Sequence, residues 1–238
     1  MHRTLLYLTL TVISCITISA CRKAAPVDGP GLVKTMAIDG NSCVVNYLYD
    51  DQGRVTTITQ CDTVEQYTYA DDTITYTHAV GGSVGYTLVY HLDAEGRATA
   101  YRSTVTGGLQ TDYTITYDAD GHRIALADIA HADNYTTYTI SGGNNVYDTV
   151  ASPSGSYAIR RTFYAGTSNT LGYDNLGKKF LGSSSANLKK TETYIAGGTS
   201  YTVRYLYTLD YLNGVATRTT LTGDSVTETR EYEYYSGD

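Results

Sequence analysis

Tryptophan is absent from this 238-residue chain and phenylalanine occurs only twice, although tyrosine occurs 25 times. A dry core draws on Phe, Leu and Ile. A chain that takes nearly all its aromatics as Tyr implies strands whose wall is apolar in body and polar at the tip, around a thin core. The chain also lacks a basic stripe: its formal net charge is −7. Nucleic acid is therefore not an expected partner, because phosphate-backbone binding rests on clustered Lys and Arg. No Cys-x-x-Cys occurs, and His78, His91, His122 and His131 form no i,i+4 pair, so no metal or other cofactor is expected. A Gly-x-Ser-x-Gly elbow is missing and no carboxylate pair stands apart from the turns, so the chain does not read as an enzyme.

What is present is a returning phrase: Tyr, any residue, an apolar residue, Asp, two residues, Gly, then a base. It stands as Tyr47-Leu48-Tyr49-Asp50-Asp51-Gln52-Gly53-Arg54 and as Tyr90-His91-Leu92-Asp93-Ala94-Glu95-Gly96-Arg97. Shorter copies are Tyr117-Asp118-Ala119-Asp120-Gly121-His122 and Tyr173-Asp174-Asn175-Leu176-Gly177-Lys178. In each, the Asp suits turn capping, the Gly suits the left-handed position, and the base suits a cross-strand partner of the Asp. Asp118-Ala119-Asp120-Gly121 begins as a calcium loop would, but it lacks the downstream Glu and reads as a turn.

Between these turns the apolar residues alternate. Val84, Tyr86, Leu88, Tyr90 and Leu92 share one face, as do Tyr201, Val203, Tyr205, Tyr207 and Leu209. Thr and Arg are among the residues opposite, which marks antiparallel strands with one wet face. Turn positions at Asp50, Ala70, Asp93, Asp118 and Ser141 recur at near-constant intervals, giving one hairpin per repeat. The predicted fold is all-β: about fourteen to seventeen strands in serial hairpins, forming a highly curved sheet, half-shell or barrel. The segments Ser152 to Ser156 and Gly182 to Asn187 read as longer loops, and Ile124 to Asp133 as the one place for a helical turn. A three-residue loop Asp51-Gln52-Gly53 pairs Asp50 with Arg54 and Tyr49 with Val55. Continued outward, that register pairs Tyr47 with Thr57, Val45 with Thr59 and Cys43 with Cys61, near enough for a disulfide.

Residues 1–20 read as a signal peptide, with a basic start at Arg3, an uncharged apolar stretch from Leu5 to Ile18, and small residues before Cys21. Ile18-Ser19-Ala20-Cys21 resembles the lipobox of bacterial lipoproteins, which implies acyl chains on Cys21 and membrane attachment through them. Residues 21–31 then form a flexible linker, and 32–238 a single β domain. Lipoprotein sorting rules imply the outer membrane, since no Asp follows Cys21, with the periplasmic face favoured.

The hairpins resemble the YD repeats of Rhs proteins and teneurins. At this size the chain is similar to uncharacterised Gram-negative lipoproteins with a porin-like β fold. That resemblance implies fold and location, and it brings no catalytic residues. The expected function is a non-catalytic, membrane-anchored β scaffold or binding module, with a glycan or a protein as ligand. Tyr side chains on a sheet face can stack on sugar rings and bond their hydroxyls. The alternatives are a membrane-inserted, pore-like barrel, which needs a continuous apolar outer band, and a hydrolase whose partners lie far apart in sequence.

Overall fold

The computed structural model describes residues 31–40, 42–210 and 214–235. The expected signal peptide, Cys21 and the linker up to residue 30 lie outside the described residues. Sixteen antiparallel strands follow one another around a closed barrel, each paired with its neighbours in sequence, and the last closes on the first. They are β1 (Val33–Ile38), β2 (Val45–Tyr49), β3 (Val55–Gln60), β4 (Thr63–Tyr69), β5 (Thr73–Val80), β6 (Ser83–Leu92), β7 (Ala98–Val105) and β8 (Gln110–Tyr117). The second half is β9 (Arg123–Asp128), β10 (Tyr135–Ser141), β11 (Asn144–Ser152), β12 (Gly155–Ser168), β13 (Asn187–Ala196), β14 (Thr199–Asp210), β15 (Gly214–Thr222) and β16 (Ser225–Tyr234). Closure removes the open edges that an array of hairpins would leave unpaired.

The returning phrase builds one end of this barrel. Asp50 Oδ1 accepts the backbone N–H groups of Gln52 and Arg54 at 3.0 and 2.9 Å, and Arg54 Nε donates to Asp50 Oδ2 at 2.7 Å. Asp93 repeats the arrangement with Glu95 and Arg97, and Asp118 holds the N–H groups of Asp120 and His122. These contacts hold the Asp50 and Asp93 carboxyls below the ordinary range: burial pushes the other way and is outweighed by the bonds from Arg54 and Arg97. At the opposite end, which we term the mouth, tight turns such as Gly81-Gly82 and Gly197-Gly198 place two successive residues at positive φ, as a two-residue hairpin requires.

Just past each of these Asp-Gly turns the strand register slips. Tyr49 lies opposite Val55, as expected, but Leu48 then lies opposite Thr57 and Tyr47 opposite Ile58. The register continued outward from the loop therefore fails beyond Tyr49. The cause is a β-bulge at Thr56, which lets Val55 and Ile58, three residues apart, both face inward and be buried. Equivalent slips follow Ala98, Arg123 and Val215, and one follows Val33. At four of these bulges a tyrosine hydroxyl donates to the carbonyl of the residue just before the bulge. The bonds are Tyr49 to Val33 (2.7 Å), Tyr69 to Val55 (2.8 Å), Tyr117 to Ala98 (2.8 Å) and Tyr234 to Val215 (3.0 Å). All four acceptor residues are fully buried. Phe could fill the space but could not supply this donor, which is a physical reason for the Tyr excess. Tyr117→Phe is expected to destabilise the barrel by about 1 kcal/mol, read by urea unfolding. A loss near zero would show that the carbonyl needs no donor.

Cys43 and Cys61 form a disulfide with Cα atoms 5.2 Å apart. They meet outside the ladder, because Cys61 occupies the first position of the β3–β4 turn with φ of 52°. Preventing the bond with Cys43→Ser and Cys61→Ser together is expected to cost about 3 kcal/mol. Unfolding of the parent with and without reductant should show the same gap, and coincident curves would refute it.

Three further expectations change. Ile124 to Asp133 forms no helix: it begins in β9 and continues into turns. Ser152 to Ser156 is a hairpin turn, since Ser152 pairs directly with Gly155. The fourth copy of the phrase, Tyr173 to Lys178, is not a hairpin tip. It belongs to an inserted segment between β12 and β13, residues 169–186, which contains a single 3-10 turn at Lys179–Leu181. This segment bonds to one end of the barrel: Val33 N–H to Asn175 O, Val55 N–H to Gly177 O, Ser183 N–H to Gly121 O and Ala186 N–H to Gly143 O. It plugs the end where the Asp-Gly turns lie.

Candidate binding site in the barrel lumen

The two faces of the wall differ in kind. Outward positions carry threonines that bond across strands, Thr162 with Thr191 at 2.7 Å and Thr193 with Thr202 at 2.9 Å. They also carry the exposed Arg102–Asp112 pair, whose guanidinium makes two bonds at 2.7 and 3.1 Å. Inward positions carry most of the tyrosines, Tyr135 and Tyr147 being exposed outward exceptions. The stacking surface expected on an open sheet face is therefore enclosed. Many exposed apolar side chains lie at the mouth, among them Val80, Val84, Val105, Leu109, Ile129 and Val226, while Leu48 and Leu206 are exposed on the outer wall between inward tyrosines. Val84 leaves the inward face because the β5–β6 register slips between His78 and Ala79.

The lumen is filled unevenly. On the side of β1 to β8, Phe180 from the plug sits among Tyr67, Tyr90 and neighbouring apolar residues, with ring centroids 6.3 Å from Tyr67 and 5.1 Å from Tyr90. Tyr76 and Tyr86 join hydroxyls at 3.2 Å, and Lys178 lies over the Tyr67 ring at 5.3 Å. Burial here pushes Tyr47 and Tyr90 up to about 12. His78 stacks on Tyr86 at 4.9 Å, whereas His91 points outward, so the two do not meet. His122 lies near Asp118 (Nδ1–Oδ2 3.4 Å), and His131 is an exposed side chain beside Asp128.

The side formed by β9 to β15 is polar. Arg161 on β12 bridges Asp148 on β11 and Glu192 on β13, each at 2.7 Å. Lys189 reaches Glu192 at 3.1 Å, and the hydroxyls of Tyr205 and Tyr194 donate to the same carboxylate at 2.8 and 3.2 Å. Burial alone would raise the Glu192 pKa, but Lys189, the Tyr205 hydroxyl and Arg161 outweigh it and bring it down to about 2. Between this network and the plug lies a cavity of about 370 Å³. Arg123, Arg161, Lys189 and Arg218 supply its cations, and Asp148, Asn145, Tyr138, Tyr207 and Phe163 are among its other walls. A satellite of about 90 Å³ shares Arg123 and Tyr138 and extends to His122.

Arg123 is the residue that the turn pattern alone could have revealed. In the first two copies of the phrase the residue after the base is Val55 or Ala98, both fully buried. The third copy puts Arg123 in that inward, bulge-starting position, where it stacks on Tyr138 at 4.7 Å.

Solved structures with this architecture include a porin-like protein from Bacteroides uniformis ATCC 8492. It matches with a TM-score of 0.67 and 16% identity over 87% of this chain and 98% of its own. A second, from Bacteroides vulgatus ATCC 8482, matches with 0.61 and 13% over 86% and 99%. The fold is that of these porin-like proteins. At such identities the likeness speaks for the barrel and not for an activity. No protein-family model matches the chain, and no curated protein matches it. Within this porin-like barrel the lumen is stopped at one end by the chain itself.

Proposed function

We propose that this protein is a non-catalytic, lipid-anchored β-barrel that works as a binding cup, with a glycan or protein ligand received from the mouth. The observation that supports it most is the plug: residues 169–186 bond to Val33, Val55, Gly121 and Gly143 around one end, leaving a blind lumen with a polar cavity against its floor. The outer wall supports a barrel standing in water, because threonines and the Arg102–Asp112 pair occupy positions that an inserted barrel gives to apolar side chains. Residue 31 and residue 235 lie at the plugged end, so an anchor at Cys21 would turn the mouth away from its attachment.

Labelling with a palmitate analogue tests the anchor: the parent should incorporate it and Cys21→Ala should not. Expression without residues 1–21 tests the barrel's surroundings. A detergent-free monomer is expected, and a product soluble only in detergent would favour the inserted, pore-like alternative. A thermal-shift panel of oligosaccharides tests the glycan form of the ligand. A flat response across the panel would leave a protein partner.

A further inference from the structure

The charge of the lumen cavity runs against that of the whole protein. The chain carries a formal −7, yet four cationic side chains and one carboxylate face this space, while Glu192 pairs with Arg161 and Lys189, and Glu228 with Arg218 at 3.3 Å, from outside its lining. Arg123, partly buried, has no carboxylate within ion-pair distance among the described residues; its contact is the Tyr138 ring. Two other guanidinium groups are only partly used, because Arg161 Nη1 and Arg218 Nε are buried without a hydrogen-bond partner. Buried donors of this kind are costly unless something accepts from them. The acceptor side is open as well: Asp148 Oδ1 and Asn145 Oδ1 are buried and unpartnered.

A simple anion would satisfy the guanidinium donors and leave, or repel, the Asp148 and Asn145 oxygens. A neutral sugar would satisfy the oxygens through its hydroxyls and leave Arg123 without a counter-charge. We propose that the cavity binds a hydroxylated carboxylate, an acidic sugar, with its carboxylate toward Arg123 and Arg218 and its hydroxyls donating to Asp148 and Asn145. The volume of about 370 Å³ lies within the range of small-molecule pockets. Tyr138, Tyr207 and Phe163 supply aromatic surface beside it. This assignment rests on the binding-cup reading and deepens it by naming the class of ligand.

Isothermal titration of the full chain in detergent with galacturonate and glucuronate tests the assignment, with galactose, glucose and inorganic phosphate as controls. Arg123→Met and Arg218→Met are the variants, each first compared with the parent in thermal unfolding. A uronate should bind, the neutral sugars at least tenfold more weakly, and phosphate at least tenfold more weakly. Arg123→Met should weaken uronate binding tenfold or more; since Arg123 has no ion pair to lose, that variant should fold. Arg218→Met should do the same, and if it unfolds Arg123→Met alone decides the outcome. Equal binding of phosphate would mean charge alone is recognised, and it would overturn the acidic-sugar assignment. Equal binding of galactose would overturn the anion half while keeping a glycan-binding cup. No binding of any uronate, or binding unchanged in Arg123→Met, would overturn the site. Neither of those results bears on the lipid anchor or on a protein partner.

Discussion

Arg161→Ala should destabilise the barrel by about 3–5 kcal/mol at neutral pH, the usual cost of leaving buried charges without their partner. Arg161 joins three consecutive strands, and the two carboxylates it holds are each only 7% exposed. Glu192 keeps Lys189, Tyr205 and Tyr194 when the guanidinium is gone. Asp148 has no second cation within ion-pair distance among the described residues and would be left charged in the lumen. The loss is larger than removing an exposed pair such as Arg102–Asp112, which water screens and which contributes about 0–1 kcal/mol.

The same network gives a pH dependence with a definite sign. The folded-state pKa of Glu192 is depressed from 4.5 to about 2. A depressed carboxyl contributes stability that is present above the unfolded pKa and is lost as pH falls toward the folded one. The parent should therefore lose stability between about pH 5 and pH 2. In Arg161→Ala, Glu192 loses one of the groups that depress it and takes up a proton more readily in the folded state. The gap between parent and variant should narrow as pH falls. Urea unfolding of both at pH 7 and pH 4 provides the measurement. A deficit below about 1 kcal/mol at pH 7, or one that widens toward pH 4, would show that Arg161 is not the keystone of this wall.

Much of the architecture is legible in particular residues. Asp50, Asp93 and Asp118 with their following glycines mark three turns at one end, and Tyr–Thr alternation separates lumen from exterior. Bulges are harder to read, because a register slip is decided by which side chains reach the lumen. Val55 and Ile58 both face inward at a three-residue spacing that strict alternation forbids. The candidate site is less legible again. Arg161, Asp148 and Glu192 stand far apart in sequence and look like ordinary strand charges until strand pairing sets β11, β12 and β13 side by side. The fourth copy of the phrase misleads for a related reason. Tyr173 to Lys178 satisfies its own backbone locally, with Lys178 N–H bonding Tyr173 O at 2.7 Å and Gly177 N–H bonding Asp174 O at 3.2 Å. Local turn chemistry is thus preserved in a segment that folds against the barrel end instead of joining two strands.

That segment provides the second large effect. Gly177→Ala should cost at least about 2 kcal/mol, from a residue with positive φ combined with backbone crowding. Gly177 has φ of 65°. A Cβ there would stand 2.6 Å from the Val55 nitrogen and 2.8 Å from both the Gly53 oxygen and the Tyr49 ring. Neither backbone atom can move without disturbing the first Asp-Gly turn or the bulge that follows it. The bond from Val55 N–H to Gly177 O, 3.1 Å long, is the one most directly opposed by the added methyl. Relief by withdrawing the plug would free Phe180 from its place among Tyr67 and Tyr90 and open the floor of the cavity. Trypsin reads this directly, since Lys178 and Lys179 lie in the segment. The parent should resist cleavage there, while Gly177→Ala should be cut at those lysines with its disulfide-bonded hairpins intact. An Ala variant with the parent's unfolding curve and the parent's trypsin pattern would mean that the plug rests only loosely on the first turn. In that case the closed floor on which the binding cup depends would have to be held elsewhere, at Gly121 and Gly143.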